Sequence, residues 1–281
     1  MRYMMDTEHR RANRAMWDER VDLHVESDLY NVPGFLAGQC RLRDFEPDEL
    51  GSVEGRTLLH LQCHFGLDTL SWARRGAIVT GIDFSEPAIE AARKIARHAD
   101  IPATFEVCDV YETAATLDRT FDIVYTGLGA LCWIPDLDAW AREIVRLLVP
   151  GGTFYMSEFH PLTDVFGEDD LAVTESYFDD GRPFRDETSG TYSDRSAKTS
   201  NNLSYSWTHP LSRVITALLK VGLTLDSFAE HDYTVFPRFT ALSAAPGTDV
   251  FRFPEGHPRF PLMYSIRMRF DGGGPEPSSS G

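Results

Sequence analysis

The chain has 281 residues, with 27 Lys and Arg against 43 Asp and Glu and a formal net charge of −16. Such a field repels phosphate backbones, so no nucleic acid is expected as substrate or partner, and the length suits one α/β core with room for an inserted cap. No run reaches the length of a membrane span and the start, "MRYMMDTEHRRANRAMWDER", lacks the apolar stretch of a secretory signal, so no membrane association and a cytoplasmic location are expected.

Residues 8–26 are polar and helix-compatible, and "DLYNVPGFLAG" after them is broken by Pro33 and Gly34. From residue 57 the pattern becomes regular. "TLLHL" reads as a buried strand, "LDTLSWARR" as a helix, "AIVTGID" as a strand, and "SEPAIEAARKIARHA" as a helix with Ser85 as its N-cap and Pro87 near its start. "ATFEVCD" and "FDIVYTG" read as further strands, "DLDAWAREIVRLL" as a helix closed by Pro150-Gly151-Gly152, and "TFYMSEF" as a fifth strand. This alternation predicts a doubly wound parallel α/β sheet with helices on both faces.

Residues 160–208 interrupt the rhythm with Asp, Ser, Thr and aromatic residues, and a segment this long is expected to cap a substrate pocket. The helix "HPLSRVITALLKVG" and the strands "LTLDSFAEHDY" and "PLMYSIRMRF" follow, the two strands suggesting an antiparallel hairpin at the sheet edge. The division expected is an N-terminal helical lid (1–50), a cofactor-binding core (51–159), the cap insert (160–208), completion of the sheet (209–270) and a disordered tail (271–281).

The loop "LQCHFG" between the first strand and first helix sits where such sheets hold nucleotides. An NAD-type loop needs bare glycines so that backbone can touch a pyrophosphate, and here Gln62, His64 and Phe65 crowd that path. A cofactor without phosphates fits better. Asp83 ends the second strand, where an acid can accept from a ribose diol, although capping the next helix is an equally good reading. Asp109 ends the third, where its carboxylate can accept from an adenine amine while the Val110 N–H donates to a ring nitrogen. Gly66 is expected to keep the backbone accessible. These features favour S-adenosylmethionine.

Taken together, "LLHLQCHFG", "GIDFSEPAIEAAR", "CDVYE", "FDIVYTGLGALCWIPDLDAWAREIVRLLVPGG" and "FYMSEFHP" resemble the successive motifs of class I S-adenosylmethionine-dependent methyltransferases of the small-molecule type, in a variant branch with the "LQCHFG" wording. The resemblance runs over roughly residues 10–270. It implies a seven-stranded sheet of order 3-2-1-4-5-7-6 with strand 7 antiparallel. It also implies cofactor contacts from Gln62, Cys63, His64, Gly66, Asp83, Phe84 (against adenine), Ser85, Asp109, Val110, and Thr126 and Gly127 beside the methionine part. Tyr30, in the lid with Trp17 and His24, joins them. His60 stands in place of the family's usual acid, and Gln62 and His64 in place of two glycines, which leaves the groups that hold the methionine ammonium unassigned.

The reaction expected is methyl transfer to an O, N or C nucleophile of a small acceptor, with specialised metabolism as the setting. The alternatives are a non-methylating rearrangement or cyclisation on the same cofactor, or methylation of a peptide. If a base is used, His160 is the first candidate and His209 the second, with His231 behind them, although a histidine at an element end is more often a cap. Cys40, Cys63, Cys108 and Cys132 are scattered without a CxxC pair, which excludes the common zinc ribbons and points to free thiols. No metal is expected, since His60 and His64 fall on a strand and in a turn with no third ligand in view.

Overall fold

A computed structural model describes residues 2–178, 181–245, 248 and 250–273, with side chains described from residue 8 onward. Five strands form the first half of the sheet: β1 (Thr57–Leu61), β2 (Ile78–Asp83), β3 (Thr104–Val107), β4 (Phe121–Thr126) and β5 (Leu148–Phe159). Two more complete it, β6 (Leu223–His231) and β7 (Met263–Phe270). The order is 3-2-1-4-5-7-6. β1 pairs in parallel with both β2 and β4, whereas β7 runs antiparallel between β5 and β6. Topology and strand directions are those the motif resemblance implies.

Alternation along the central strands builds two cores. Leu59, Val124, Phe154 and Met156 face α7 (Leu137–Leu147) and α8 (Leu211–Lys220), packing with Trp140, Ile144, Val214 and Leu218. Their neighbours Leu58, Ile123 and Tyr155 face the other way, onto Trp72 of α4 (Leu67–Arg74) and Leu50 of α3 (Phe45–Leu50). Because side chains alternate with period two, a strand buried on both faces must be apolar at nearly every position. "TLLHL" meets that demand, and its one polar residue, His60, is buried with a partner of its own. α5 (Glu86–His98) lays Ile89, Ala92 and Ile95 against Phe105 of β3 and Leu70 of α4.

Pairing of β6 with β7 is antiparallel as expected, but the two do not form a simple edge hairpin. β7 lies inside the sheet and β6 is the edge. The connection between them makes a small three-stranded sheet (Tyr233–Thr234, Ser243–Ala244, Phe251–Arg252) and its own apolar cluster of Phe239, Leu242, Phe253 and Leu262. These strands are two residues each, too short for periodicity to reveal. Most of the expected tail lies outside the described residues.

The N-terminal helix α1 (Arg2–Val25) and the insert are tied together. Asn13 behaves like a strand partner: its amide donates to the Tyr205 carbonyl (2.8 Å) and its side-chain oxygen accepts from the Tyr205 N–H (2.7 Å). Glu19 accepts from the N–H groups of Ser200 and Asn201 at 2.8 and 2.6 Å. The buried Arg20 guanidinium donates to the carbonyls of Gly190 (2.9 Å), Asn201 (2.8 Å) and its own helix's Met16 (3.0 Å). The insert thus meets its backbone hydrogen-bonding needs through side chains of α1 as well as through the short Phe184–Asp186/Ser204–Ser206 pair.

Arg20→Met keeps the stem and removes the donors, leaving buried carbonyls unpaired. It is expected to lower unfolding stability by about 2–4 kcal/mol. The same change should open residues 188–202 to limited proteolysis while the sheet stays resistant, with chemical denaturation and mass mapping of the cuts as the readouts.

Candidate active site

The carboxyl ends of β1, β2, β3 and β4 converge on the loop 62–66. Gln62 and His64 hold left-handed conformations, with φ of 54° and 53°. A non-glycine residue there costs about 1–2 kcal/mol, so something must hold it. Cys63 N–H donates to the Ile82 carbonyl at 2.8 Å and His64 N–H to Asp83 Oδ2 at 2.8 Å. The other Asp83 oxygen accepts from Ser85 N–H at 2.9 Å. Burial pushes the Asp83 carboxyl up to about 6 against the pull of these N–H groups, with the charge of Asp18 on α1 adding to the rise.

Several polar atoms are left waiting at these strand ends. Gln62 Oε1, Thr126 Oγ1 and Asp18 Oδ1 are buried without partners among the described residues. Each Asp83 oxygen accepts one printed backbone N–H and keeps further lone-pair capacity. Buried polar atoms are almost always paired, so a polar ligand at this spot would complete them. Beside Gly127 stand His60 Nε2 and Asp68 Oδ2, 3.3 and 3.5 Å from where a Cβ would be. Arg43 lies 3.7 Å from the other Asp68 oxygen. Asp68 and Arg43 therefore offer one charge of each sign next to the β4 end, matching an amino-acid zwitterion.

Other expected cofactor residues have different work. The Cys63 thiol points under the sheet, toward Gly81 and Phe105, and is part of the α5-side core. Ser85 caps α5, its hydroxyl accepting from Ala88 N–H at 3.3 Å. Gly66 is required by packing: a Cβ there would lie 2.6 Å from the Phe105 ring and 3.2 Å from Ala92. Asp109 is engaged at both oxygens, by Arg10 of α1 and by Tyr111 N–H, which starts the short turn Val110–Glu112. Val110 is buried in the core beneath that turn, and Phe84 stays half-buried beside Asp83. Arg10 over Asp109 means that an adenine amine would share the carboxylate with a cation.

The base candidates resolve into structural roles. His160 caps the turn Pro161–Val165: its Nδ1 accepts from Leu162 N–H (3.1 Å), which leaves the proton on Nε2, 3.1 Å from Glu230. Neither ring nitrogen is left to take a proton. His209 Nε2 donates to the Ile134 carbonyl at 2.7 Å, tethering the start of α8 to the segment before α7. His231 stacks on Phe45 with ring centroids 3.7 Å apart and meets Ser265 Oγ at 3.1 Å. Glu158 is a clamp for the loop after β4. One oxygen accepts from Gly129 (2.6 Å) and Phe159 N–H (2.7 Å), the other from Ala130 and Leu131 N–H (2.9 Å each).

His60 and His64 separate. His60 is buried behind the loop on Thr69 (2.8 Å), and burial lowers it to about 3, so it is neutral. His64 turns outward to His24 of α1, within an aromatic roof of Trp17, Tyr30, Phe65 and Tyr192. Tyr30 and Tyr192 hydroxyls touch across the junction of lid and insert.

Residues 58–152 match the family model of the methyltransferase domain. Residues 58–152 thus resemble a methyltransferase domain, and the sheet has the strand order of the class I S-adenosylmethionine-dependent methyltransferases. Ubiquinone biosynthesis O-methyltransferases are similar to the chain: that of Alkalilimnicola ehrlichii is 37% identical over 141 residues, covering 50% of this chain and 53% of the relative. That of Proteus mirabilis is 28% identical over 159 residues, covering 50% of this chain and 64% of the relative. The match thus spans roughly half to two thirds of these relatives' length. Among solved structures, an S-adenosylmethionine-dependent methyltransferase of Mesorhizobium loti shares the fold at TM-score 0.53 and 22% identity, over 83% of this chain and 99% of that one. A glycopeptide N-methyltransferase, MtfA, complexed with S-adenosylmethionine, does so at TM-score 0.50 and 15% identity, over 87% and 94%. S-adenosylmethionine is the cofactor named for these two structures of the same fold.

Sequence reasoning missed Asp18, Arg10, Arg43 and Asp68. Asp68 had a local signal, an acid in the first turn of the helix that follows the cofactor loop. The others lie outside the motifs.

Glu158→Gln sets an amide N–H₂ against two of four backbone donors. It is expected to cost about 2–4 kcal/mol and to disorder residues 128–132, readable as lost amide-exchange protection there with β1 and β2 unchanged.

Proposed function

We propose that this protein transfers the methyl group of S-adenosylmethionine to an O, N or C nucleophile of a small-molecule acceptor. The observation that carries the reading is the set of unpartnered buried polar atoms, Gln62 Oε1, Thr126 Oγ1 and Asp18 Oδ1, gathered with Asp83 at the strand ends. Asp83 and Asp18 would accept from the two ribose hydroxyls. Asp68 would face the methionine ammonium and Arg43 its carboxylate, which supplies the groups the altered first motif left unassigned. Asp109, shared with Arg10, would meet the adenine edge, with Phe84 against its face.

When bound, the sulfonium supplies an intrinsically electrophilic methyl group. The chain's task is then to align the nucleophile and keep water out. α1 and the insert, fastened together by Arg20, Asn13 and Glu19, close over the cofactor loop and do the second part. An enclosed site of that kind suits a small acceptor better than a polymer, and the net charge of −16 keeps nucleic acid away. The similarity to ubiquinone biosynthesis O-methyltransferases favours an oxygen acceptor. Formation of S-adenosylhomocysteine during turnover separates methyl transfer from a rearrangement on the same cofactor.

Saturating S-adenosylhomocysteine, at about a hundred times its dissociation constant, should stabilise the protein by roughly 2.7 kcal/mol, whereas NAD should not. Asp83 must be ionised to accept from a ribose hydroxyl while both its oxygens already accept backbone N–H groups, so affinity should fall as the pH drops through about 6. Asp83→Asn should weaken binding and flatten that dependence, as followed by calorimetry between pH 5 and 8. No stabilisation by either sulfur nucleoside would overturn the reading.

Asp68→Asn should weaken S-adenosylhomocysteine binding roughly 10-fold or more, the effect of about 1.4 kcal/mol, and leave adenosine binding unchanged. Equal losses for both ligands would remove Asp68 from the ammonium site.

A further inference from the structure

His64 stands where the motif resemblance places a glycine, and the structure shows what the extra ring meets. Its Nε2 is 3.4 Å from His24 Nδ1, and His24 Nε2 is 2.5 Å from Thr191 Oγ1. This chain of hydrogen bonds starts on the cofactor loop, crosses α1 and ends in the insert. Among the described residues no partner is seen for His64 Nδ1, which is the open end of the chain. The rings around it are flat and apolar: Trp17 lies 5.2 Å from the His64 ring and 5.4 Å from Trp133, and Tyr30 lies 5.5 Å from His64 and 4.7 Å from Phe65.

We propose that His24 and His64 form a two-imidazole proton relay that deprotonates the acceptor, and that the acceptor is a phenolic ring held in this aromatic roof. The proposal rests on the methyltransferase reading above and deepens it.

The step balances as follows. The acceptor O–H bond breaks and its proton goes to His64 Nδ1. The oxygen electron pair forms the O–CH₃ bond, and the S–C pair stays on sulfur. His64 Nε2–H then passes a proton to His24 Nδ1, and His24 Nε2–H already donates to Thr191. The positive charge lost from sulfur reappears on the imidazole pair, so the enclosed site keeps its net charge. A single histidine at His64 would have to hold that charge against the cofactor, whereas the second ring moves it outward to the insert.

The groups facing the pair are defined. Arg20 sits one turn before His24 on α1, Tyr30 and Tyr192 flank it from the following turn and the insert, and Asp83 and Asp18 lie on the His64 backbone side. Burial lowers His24 to about 4, with Arg20 adding to the effect, and burial lowers His64 as well. Both rings are therefore neutral at physiological pH.

The test has two parts that fail separately. Nitrogen-15 NMR of the labelled wild-type protein with S-adenosylhomocysteine reads the tautomers directly. Unprotonated Nδ1 on both His64 and His24 is expected, and His24→Asn should shift the His64 signals. A protonated His64 Nδ1 would overturn the relay even if the nucleoside binds, whereas absent nucleoside binding would overturn the methyltransferase reading. In the second part, a series of catechols and phenols is supplied with S-adenosylmethionine. His24→Asn should bind S-adenosylhomocysteine normally, and both His24→Asn and His64→Gln, at saturating S-adenosylmethionine, should methylate ordinary phenols about 10²–10⁴-fold more slowly and recover on nitrophenols that are already ionised. Their rates should rise with pH where the wild-type rate is level. Equal losses on ionised and neutral phenols, or no loss, would overturn the proposal.

Discussion

The Asp83 carboxylate joins the cofactor loop to the sheet and to the next helix at once. One oxygen receives the N–H of His64 from a strained left-handed turn, and the other receives the N–H of Ser85 at the start of α5. Two non-glycine residues with positive φ would otherwise be an expensive way to leave a strand. With the carboxylate buried and its own charge poorly solvated, the two N–H groups stabilise it and it stabilises them. The same atom pair keeps lone-pair capacity toward α1, where Asp18 waits with an unpaired oxygen.

From that point the architecture of the site extends in two directions. Toward β4, the loop after Thr126 is shaped by four N–H groups on Glu158, which places Gly127 beside Asp68 and His60. Toward the solvent, α1 brings Arg10, Trp17, Asp18 and His24 over the strand ends, and the insert is fastened to the outer face of that helix. The groups proposed for the cofactor come from the strand ends and their loops together with Arg10 and Asp18 of α1 and Arg43. Groups that would meet an acceptor come from the lid, the insert and one residue, His64, that reaches across from the loop.

The histidines show how position within an element misleads when partners are unseen. His160 and His209 stand at element ends near the carboxyl edge of the sheet, which made them base candidates. His160 caps a turn and meets Glu230, and His209 gives its Nε2–H to a backbone carbonyl. His24, in the last turn of a polar helix with no motif around it, meets His64 only because the chain returns there 40 residues later.

The sequence by itself determined the alternating strands and helices of the doubly wound sheet and the α5 cap at Ser85, because each rests on local pattern: buried strand runs and an N-cap before an amphipathic run. The seven-stranded order came from the likeness of successive motifs to class I methyltransferases. Asp83 was legible from local pattern too, as the last residue of a strand. Its other reading, a structural acid near the start of the next helix, was legible as well, and the structure shows it accepting from the Ser85 and His64 N–H groups. What only the tertiary structure decided are the long-range meetings: Arg43 with Asp68, Arg10 with Asp109, Gly66 against Phe105, Arg20 with the insert, His24 with His64. A polar residue carries no sequence signal for a partner that is dozens of residues away, since hydrogen bonding and charge pairing depend on distances that exist only after the hydrophobic core has set the elements in place.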